Sequence, residues 1–357
     1  MNFNYTKKNY TINLLNKIRQ LHGRACYYSR KTNEILTEER LTCQDGLPLE
    51  SAPPGHGAIL MYHGVVPDCE SRFNWRHVSV SALETHLKML QQSCCVLSVK
   101  DFIAGNFDPS RFNVAITFDD AFRNNLNYAL PLLEKYKFPA SIYATAANQF
   151  SSPWLWPDFL DIVSLFGDPV IEICGRKYSK KGKAYFDVET HQALSYIIKH
   201  EQPEYEFKES VYKSLHRWMP NMYRPDFRPY WELMNDEELK QIDGSDLITV
   251  GSHGYYHNNL GELSYSDAID EIKRSKLYLE SLLNRTVDEL AYPDGSYTSQ
   301  LIEGAGSLGF NVQLAVDLRY DESQAGIWPA RRAGVYSFDR ERTQLASAIS
   351  SFTDSQL

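Results

Sequence analysis

Asn113-Val-Ala-Ile-Thr-Phe-Asp-Asp-Ala-Phe122 decides the reading of this chain. Val114, Ile116 and Phe118 form a short apolar run bounded by polar residues, the pattern of a buried strand, and the run stops on two adjacent carboxylates. The C-terminal end of a strand is where α/β folds place their chemistry, so Asp119 and Asp120 are site candidates. Neighbouring side chains at a strand end point in different directions. One carboxylate can therefore hold a metal ion while the other stays free to take a proton. An isolated Asp-Asp pair reads more readily as a helix N-cap followed by a first-turn acid. A second motif, farther along the chain, reverses that preference.

Working outward, strands and helices alternate. Ala58-Ile-Leu-Met-Tyr-His63 is a buried-strand run that ends on His63 and Gly64. Ser81-Ala-Leu-Glu84 has the form of a capping box opening a helix with Leu83, Leu87 and Leu90 on one face, and a strand over Cys95 to Ser98 follows. Beyond the opening stretch, a helix is predicted from Pro131 to Lys137 and a strand over Ala140 to Ala144. The rhythm then stops from about 150 to 240 and returns at Leu247 to Val250, which runs directly into Gly251-Ser-His-Gly-Tyr-Tyr-His257. Ser264-Tyr-Ser-Asp267 caps a long amphipathic helix to Leu283. Leu290-Ala-Tyr292 is a strand end leading into Pro293-Asp-Gly-Ser-Tyr297, followed by a helix over Gln300 to Leu308 and a strand over Val312 to Val316. Strands with intervening helices predict an α/β fold built as a mostly parallel barrel.

The chain divides into an N-terminal extension, 1–57, and a barrel domain, 58–350, interrupted by the insertion at about 150–240. The extension is polar and aromatic, with a helix predicted over Ile12 to Leu21 and a turn at Pro53-Pro-Gly55. The insertion holds Trp154, Trp156, Trp218 and Trp231, mixed charges and helical stretches such as His191 to His200. Aromatics among polar groups suit stacking on sugar rings, which makes Trp154 and Trp156 substrate candidates; the competing reading is that the tryptophans fill a small core of the insertion's own.

With 357 residues, 43% of them hydrophobic and 13% aromatic, the chain can build a large core. The 37 basic residues against 45 acidic ones give a formal charge of -8, and no basic block is present, which argues against nucleic acid as a partner. No stretch has the apolar length of a membrane span, and Met1 to Lys17 lacks the apolar core of a signal peptide. The chain is expected in the cytoplasm, or outside the cell if a leader has been trimmed from it. Cys26, Cys43, Cys69, Cys94, Cys95 and Cys174 are scattered in no zinc or disulfide pattern and are expected as reduced, packed thiols.

The second motif is His253 and His257. Their spacing of four brings two imidazoles to one metal on a helical turn or in a tight loop, and like Asp119 and Asp120 they follow a strand. Alone, such a pair reads as surface or capping histidines. Joined to an Asp-Asp strand end in a β/α chain, it forms one rim site. Two imidazoles and a carboxylate with open positions suit zinc-assisted hydrolysis, and the second Asp accepts the proton.

Thr117-Phe-Asp-Asp120 and Ser252-His-Gly-Tyr-Tyr-His257 resemble the first two motifs of the polysaccharide deacetylases, the NodB-homology or carbohydrate esterase family 4 enzymes. The resemblance runs from Ala58 to Val335 apart from the insertion, and it implies a distorted (β/α)7-type barrel that removes N-acetyl groups from amino sugars. It implies Asp119 as catalytic base and Asp120, His253 and His257 as metal ligands. Tyr292-Pro-Asp-Gly295 is similar to the third motif, so Pro293 and Asp294 would bring a backbone amide, that of Asp294, to the tetrahedral oxyanion.

The chain departs from the family in three places. Ala291 stands where the third motif has an arginine that positions the base, and Asp294 replaces an aromatic residue. No histidine follows His257, so the late Leu-His that supplies the general acid is missing. Met61-Tyr-His63-Gly and Pro329-Ala-Arg-Arg332 resemble the corresponding segments of the biofilm exopolysaccharide N-deacetylases, which implies His63 as the acid and Arg331, in preference to Arg332, as the partner of the base. The expected activity is metal-dependent hydrolysis of an N-acetyl or N-formyl group on an amino sugar, in a polysaccharide or its precursor. Zinc is the favoured ion, with cobalt, nickel or iron as alternatives. A non-catalytic carbohydrate-binding protein and an O-acetyl sugar esterase are the other two readings.

Overall fold

A computed structural model of the chain describes residues 54–67, 73–316 and 330–336, together with Leu345, Ala348 and Ile349. The helix expected over Ile12 to Leu21 lies outside these, as do Cys26, Cys43, Cys69 and Pro329, while Pro54 and Gly55 of the expected turn do form a turn, with Gly55 at φ 76°. The main sheet has eight parallel strands: β1 (Gly57–Tyr62), β2 (Cys94–Leu97), β3 (Phe112–Phe118), β4 (Ala140–Ala144), β5 (Ile248–Ser252), β6 (Glu289–Ala291), β7 (Val312–Ala315) and β8 (Ala330–Gly334). β1 pairs with β3 on one side and β8 on the other, and the series from β8 back through β7, β6, β5 and β4 to β3 closes a seven-stranded barrel. A strand has only two edges. β3 therefore gives one edge to β1 and divides the other, Phe112 to Ala115 against β2 and Ile116 to Phe118 against β4.

Burial on both faces is why these strands read as continuous apolar runs rather than alternations. All seven residues of β3 and all five of β4 are buried. The barrel core includes Ile59, Ala115, Tyr143, Ala291 and Leu314. Tyr143 satisfies its hydroxyl on Glu289 Oε2 at 2.9 Å.

The strands of the sequence reading lie within two residues of those observed, and Ser264 caps the helix Tyr265–Leu283 as expected. One cap is corrected. The helix Val80–Ser93 begins at Ser79, whose side chain accepts the Ala82 N–H, while Glu84 of the expected box is turned to Lys135. The strand context of Val78–Ser79 gives Ser79 the extended backbone that an N-cap needs.

The insertion is more than helical. Val170–Ile173, Arg176–Lys181 and Ala184–Asp187 form an antiparallel three-stranded sheet. Its first hairpin turns at Cys174 and Gly175, both at positive φ (49° and 77°), the backbone a two-residue turn of the tight hairpin type requires. Cys174 is thus exposed, contrary to the expectation of packed thiols, while Cys94 is buried and Cys95 half-buried; all three are free. The insertion has its own core, in which Trp154, Phe159, Tyr178, Trp218 and Trp231 take part. Among the described residues, no helix is long and apolar enough to cross a membrane.

Candidate metal centre and active site

The two carboxylates part company at the end of β3. The Asp119 N–H donates to Tyr62 O at 2.9 Å, which carries the strand register one step further. Asp120 and Ala121 then take positive φ, 72° and 54°, a conformation costly for residues with a side chain and concentrated at functional sites. This turn sends Asp120 toward β5 and leaves Asp119 facing the barrel axis, where β8 supplies its partner.

β5 delivers the histidines. The His253 N–H donates to Ala144 O at 2.8 Å, and its ring Nδ1 lies 2.8 Å from Ala291 O. A carbonyl can only accept, so Nδ1 carries the hydrogen and Nε2 keeps a lone pair. That Nε2 lies 3.6 Å from Asp120 Oδ1, and His257 Nε2 lies 3.2 Å from the same oxygen. One donor atom from each of the three residues falls within 4.8 Å of the others, and all three are buried. Asp120 Oδ1 is buried, yet it makes no well-aligned hydrogen bond among the described residues. An unsatisfied buried carboxylate oxygen is expensive, and a cation between it and the two imidazoles removes the cost. The residues therefore fit a divalent ion. His253→Ala removes one of three candidate ligands and should strip most of the metal from the folded protein; unchanged occupancy by elemental analysis would show that the ligand set is misassigned.

Asp119 is held by Arg332. Nη1 reaches Oδ1 at 2.6 Å and Nη2 reaches Oδ2 at 2.8 Å, a fork-to-fork pair, and Nη1 also lies 3.3 Å from Thr117 Oγ1. The guanidinium is 5.5 Å from the centroid of the Tyr143 ring and wholly buried. Burial alone would push the Asp119 carboxyl up, but Arg332, together with His253 and His63, more than offsets it and holds the group below the usual carboxylate range. The sequence reading chose Arg331, and the structure corrects that choice. Side chains alternate along β8, and Arg332, in register with Ile59, is the one turned inward; Arg331 is half-buried beside Ala315.

His63 follows β1 directly, and its Nδ1 is buried with no hydrogen bond among the described residues. Burial pushes its imidazole down to about 4, against the pull of Asp120 and Asp119 in the other direction. His63, both aspartates and both histidines line one cavity of 510 Å³. The insertion forms a wall of it with Trp156, Leu160, Tyr185 and Lys199. Asp294 lines it too, at φ 54°, its carboxylate ion-paired with Lys199; Pro293 is buried behind it. Trp156 stands 5.7 Å from the Lys199 ammonium. Trp154 does not line the cavity. It is 2% exposed, stacked on Phe159 and set edge-on to Trp231, so the core reading applies to it, whereas Trp156, 5% exposed, belongs to the same core and also lines the cavity. Sequence reasoning missed Trp75 and Tyr336, whose rings meet edge to face at 4.9 Å on the cavity wall, and Arg76 beside them. Nothing in their local pattern marks them, since flanking loops bring them in.

A parallel β/α barrel whose rim carries an Asp-His-His cluster beside an arginine-held carboxylate has the makings of a metal-dependent hydrolase. Residues 189–313 match the family described as polysaccharide deacetylase, whose members are hydrolases acting on N-acetyl groups of sugars. The matched stretch contains both histidines and begins after the Asp119-Asp120 strand end. Among solved structures, the chain is similar to IcaB from Ammonifex degensii, at 17% identity and a TM-score of 0.49 over 83% of this chain and 98% of that one. It is also similar to the Streptococcus pyogenes deacetylase PplD, solved in complex with acetate, at 17% identity and a TM-score of 0.45 over 74% and 85% of the two chains. BC0361, a polysaccharide deacetylase from Bacillus cereus, is a third, at 17% identity and a TM-score of 0.49 over 82% and 68%. No curated protein matches the chain.

Proposed function

We propose that this chain is a metal-dependent amidohydrolase that removes an N-acetyl or N-formyl group from an amino sugar, in a glycan or its precursor. The observation that carries the reading is the division of labour between two adjacent carboxylates, Asp120 set against two imidazoles and Asp119 against a guanidinium. A divalent ion held by Asp120, His253 and His257 supplies Lewis acidity there, and this donor set suits zinc, with cobalt, nickel or iron as alternatives.

The remaining chemistry belongs to the chain. Asp119 takes the proton of the attacking water, and Arg332 keeps that carboxylate ionised and in one orientation. Arg332 thereby fills the place left by Ala291, where the family has its positioning arginine. His63 hands a proton to the departing amine, and the Asp294 backbone N–H serves the developing oxyanion. A cavity of 510 Å³ is of the size that encloses a small ligand, and the aromatic faces of Trp156 and Trp75 offer stacking surfaces for sugar rings.

Incubating the metal-loaded protein with N-acetylated, N-formylated and O-acetylated sugars and measuring released acetate or formate tests this reading. Release from the amides supports it, release from the esters alone makes the chain an esterase, and glycan binding without release makes it a carbohydrate-binding protein. Trp156→Ala should raise KM for a longer glycan more than for a monosaccharide, because distal stacking is lost, and its Tm should fall as well, because Trp156 is 5% exposed and belongs to the insertion core. Trp154→Ala should instead destabilise the fold by about 3–5 kcal/mol, as a large core truncation does, with no selectivity between substrates. Equal KM effects of the two variants would contradict this division.

A further inference from the structure

The loop that carries His257 is held by two buried charged side chains from different elements. Glu271, on the helix Tyr265–Leu283, accepts the Tyr256 N–H at 3.0 Å, the Asn258 N–H at 3.3 Å and the Asn258 side-chain amide at 2.8 Å. Gly254 opens the loop at φ +74°, a conformation strained for other residues, and a Cβ there would stand 3.0 Å from Glu271 Oε1 and push the carboxylate back by a few tenths of an ångström. Lys208, on the insertion helix Tyr205–Ser214, donates to the His257 carbonyl at 3.0 Å and to Asn258 Oδ1. Glu271 thus takes up the loop's N–H groups and Lys208 its carbonyl.

Lysines are almost never fully buried unless paired, and desolvating an ammonium costs several kcal/mol. Lys208 and Glu271 are each 2% exposed. The insertion's own core gives no reason for the cost, because the partners of Lys208 belong to the barrel's rim. His257 also needs external support: its φ of 54° is unfavourable for a residue with a side chain, and such a conformation persists where surrounding contacts over-determine it.

We propose that Lys208 is a positioning residue of the metal centre, through which the insertion clamps the His257 carbonyl, orients its imidazole and sets the affinity of the site for its ion. The proposal rests on the reading of Asp120, His253 and His257 as metal ligands. It makes the insertion a component of the site as well as its wall.

Calorimetric titration of the metal-stripped full chain with Zn2+ tests it, comparing wild type with Lys208→Met, Lys208→Gln and Val211→Ala. Val211 is buried in the insertion core on the same helix, and its apolar side chain cannot hydrogen-bond the loop's polar groups, so its variant reports general loosening alone. Lys208→Met should weaken zinc binding about 10–100-fold, the usual loss when a group orienting a ligand is removed, and Lys208→Gln should lose less because it keeps a donor. Val211→Ala should stay within about threefold of wild type although its Tm falls. Zinc affinity in Lys208→Met within about threefold of wild type overturns the proposal, as does an equal loss in Val211→Ala. If Lys208→Met does not fold, Lys208→Gln against Val211→Ala decides by the same limits. A wild type that takes up no zinc sinks the metal reading itself, and this proposal with it.

Discussion

Asp119→Asn should abolish turnover while the folded protein keeps most of its metal. Asparagine preserves the shape and one acceptor for Arg332 but cannot receive a proton, so the loss should be at least the roughly 10²–10⁴-fold worth of a positioned base. The substitution also leaves Arg332, 1% exposed, without its counter-charge. Breaking a buried pair from one side costs about 3–5 kcal/mol, so Tm should fall as well, and metal content must be expressed per folded chain. Asp120→Asn should lose metal and turnover together, because Asp120 Oδ1 faces both imidazoles. Steady-state kinetics, elemental analysis and thermal unfolding of both variants separate the roles. Equal metal loss in the two would mean that the division into base and ligand is wrong.

His63→Ala should retain the metal and lose about 10²–10⁴-fold in amide hydrolysis. An amine leaving as an anion is very poor, and His63 is the histidine outside the ligand pair that lines the cavity at a strand end. Burial holds its ring in the neutral form at neutral pH, so the proton it delivers must reach it during the turnover. An activated ester, whose leaving group departs without a proton, should be spared much of the loss. Equal impairment on amide and activated ester would reduce His63 to a packing residue, in keeping with the 6.1 Å approach of its ring to Tyr336.

The legible parts of the molecule were those where local pattern and tertiary role coincide. β3 and β4 are buried on both faces, so their apolar runs marked them, and the polar residues that ended the runs marked the rim. Asp119, Asp120, His253 and His257 stood out because each pair directly follows such a strand. Where tertiary contacts decide, the sequence is silent. β8 reads Ala-Arg-Arg-Ala-Gly, with no apolar run and no β-branched residue, since one of its two buried positions is occupied by an arginine paired with a carboxylate and the other by Ala333. Without the strand there was no alternation to separate Arg332 from Arg331. The insertion's sheet was hidden for a similar reason: Arg176–Lys181 buries Tyr178 among charged neighbours, so its composition reads as solvent-facing. Trp154 and Trp156 lie two apart with the same side chain and both join the insertion core, and only the tertiary fold decides that Trp156 also borders the cavity.

The position of β8 between β1 and β7 also bears on how the chain acquires its fold. The strand that closes the barrel is the last to be synthesised, and the pair it brings with it spans 213 residues, Arg332 to Asp119. Until it docks, β1 and β7 each keep an open edge, ready to pair with another molecule, and a carboxylate waits in a half-formed apolar mouth. Contacts this distant in sequence are slow to form, and the waiting state is the aggregation-prone one. Substitutions that weaken the docking of β8 should therefore show first as lost soluble yield and slower refolding, with the molecules that do close turning over normally.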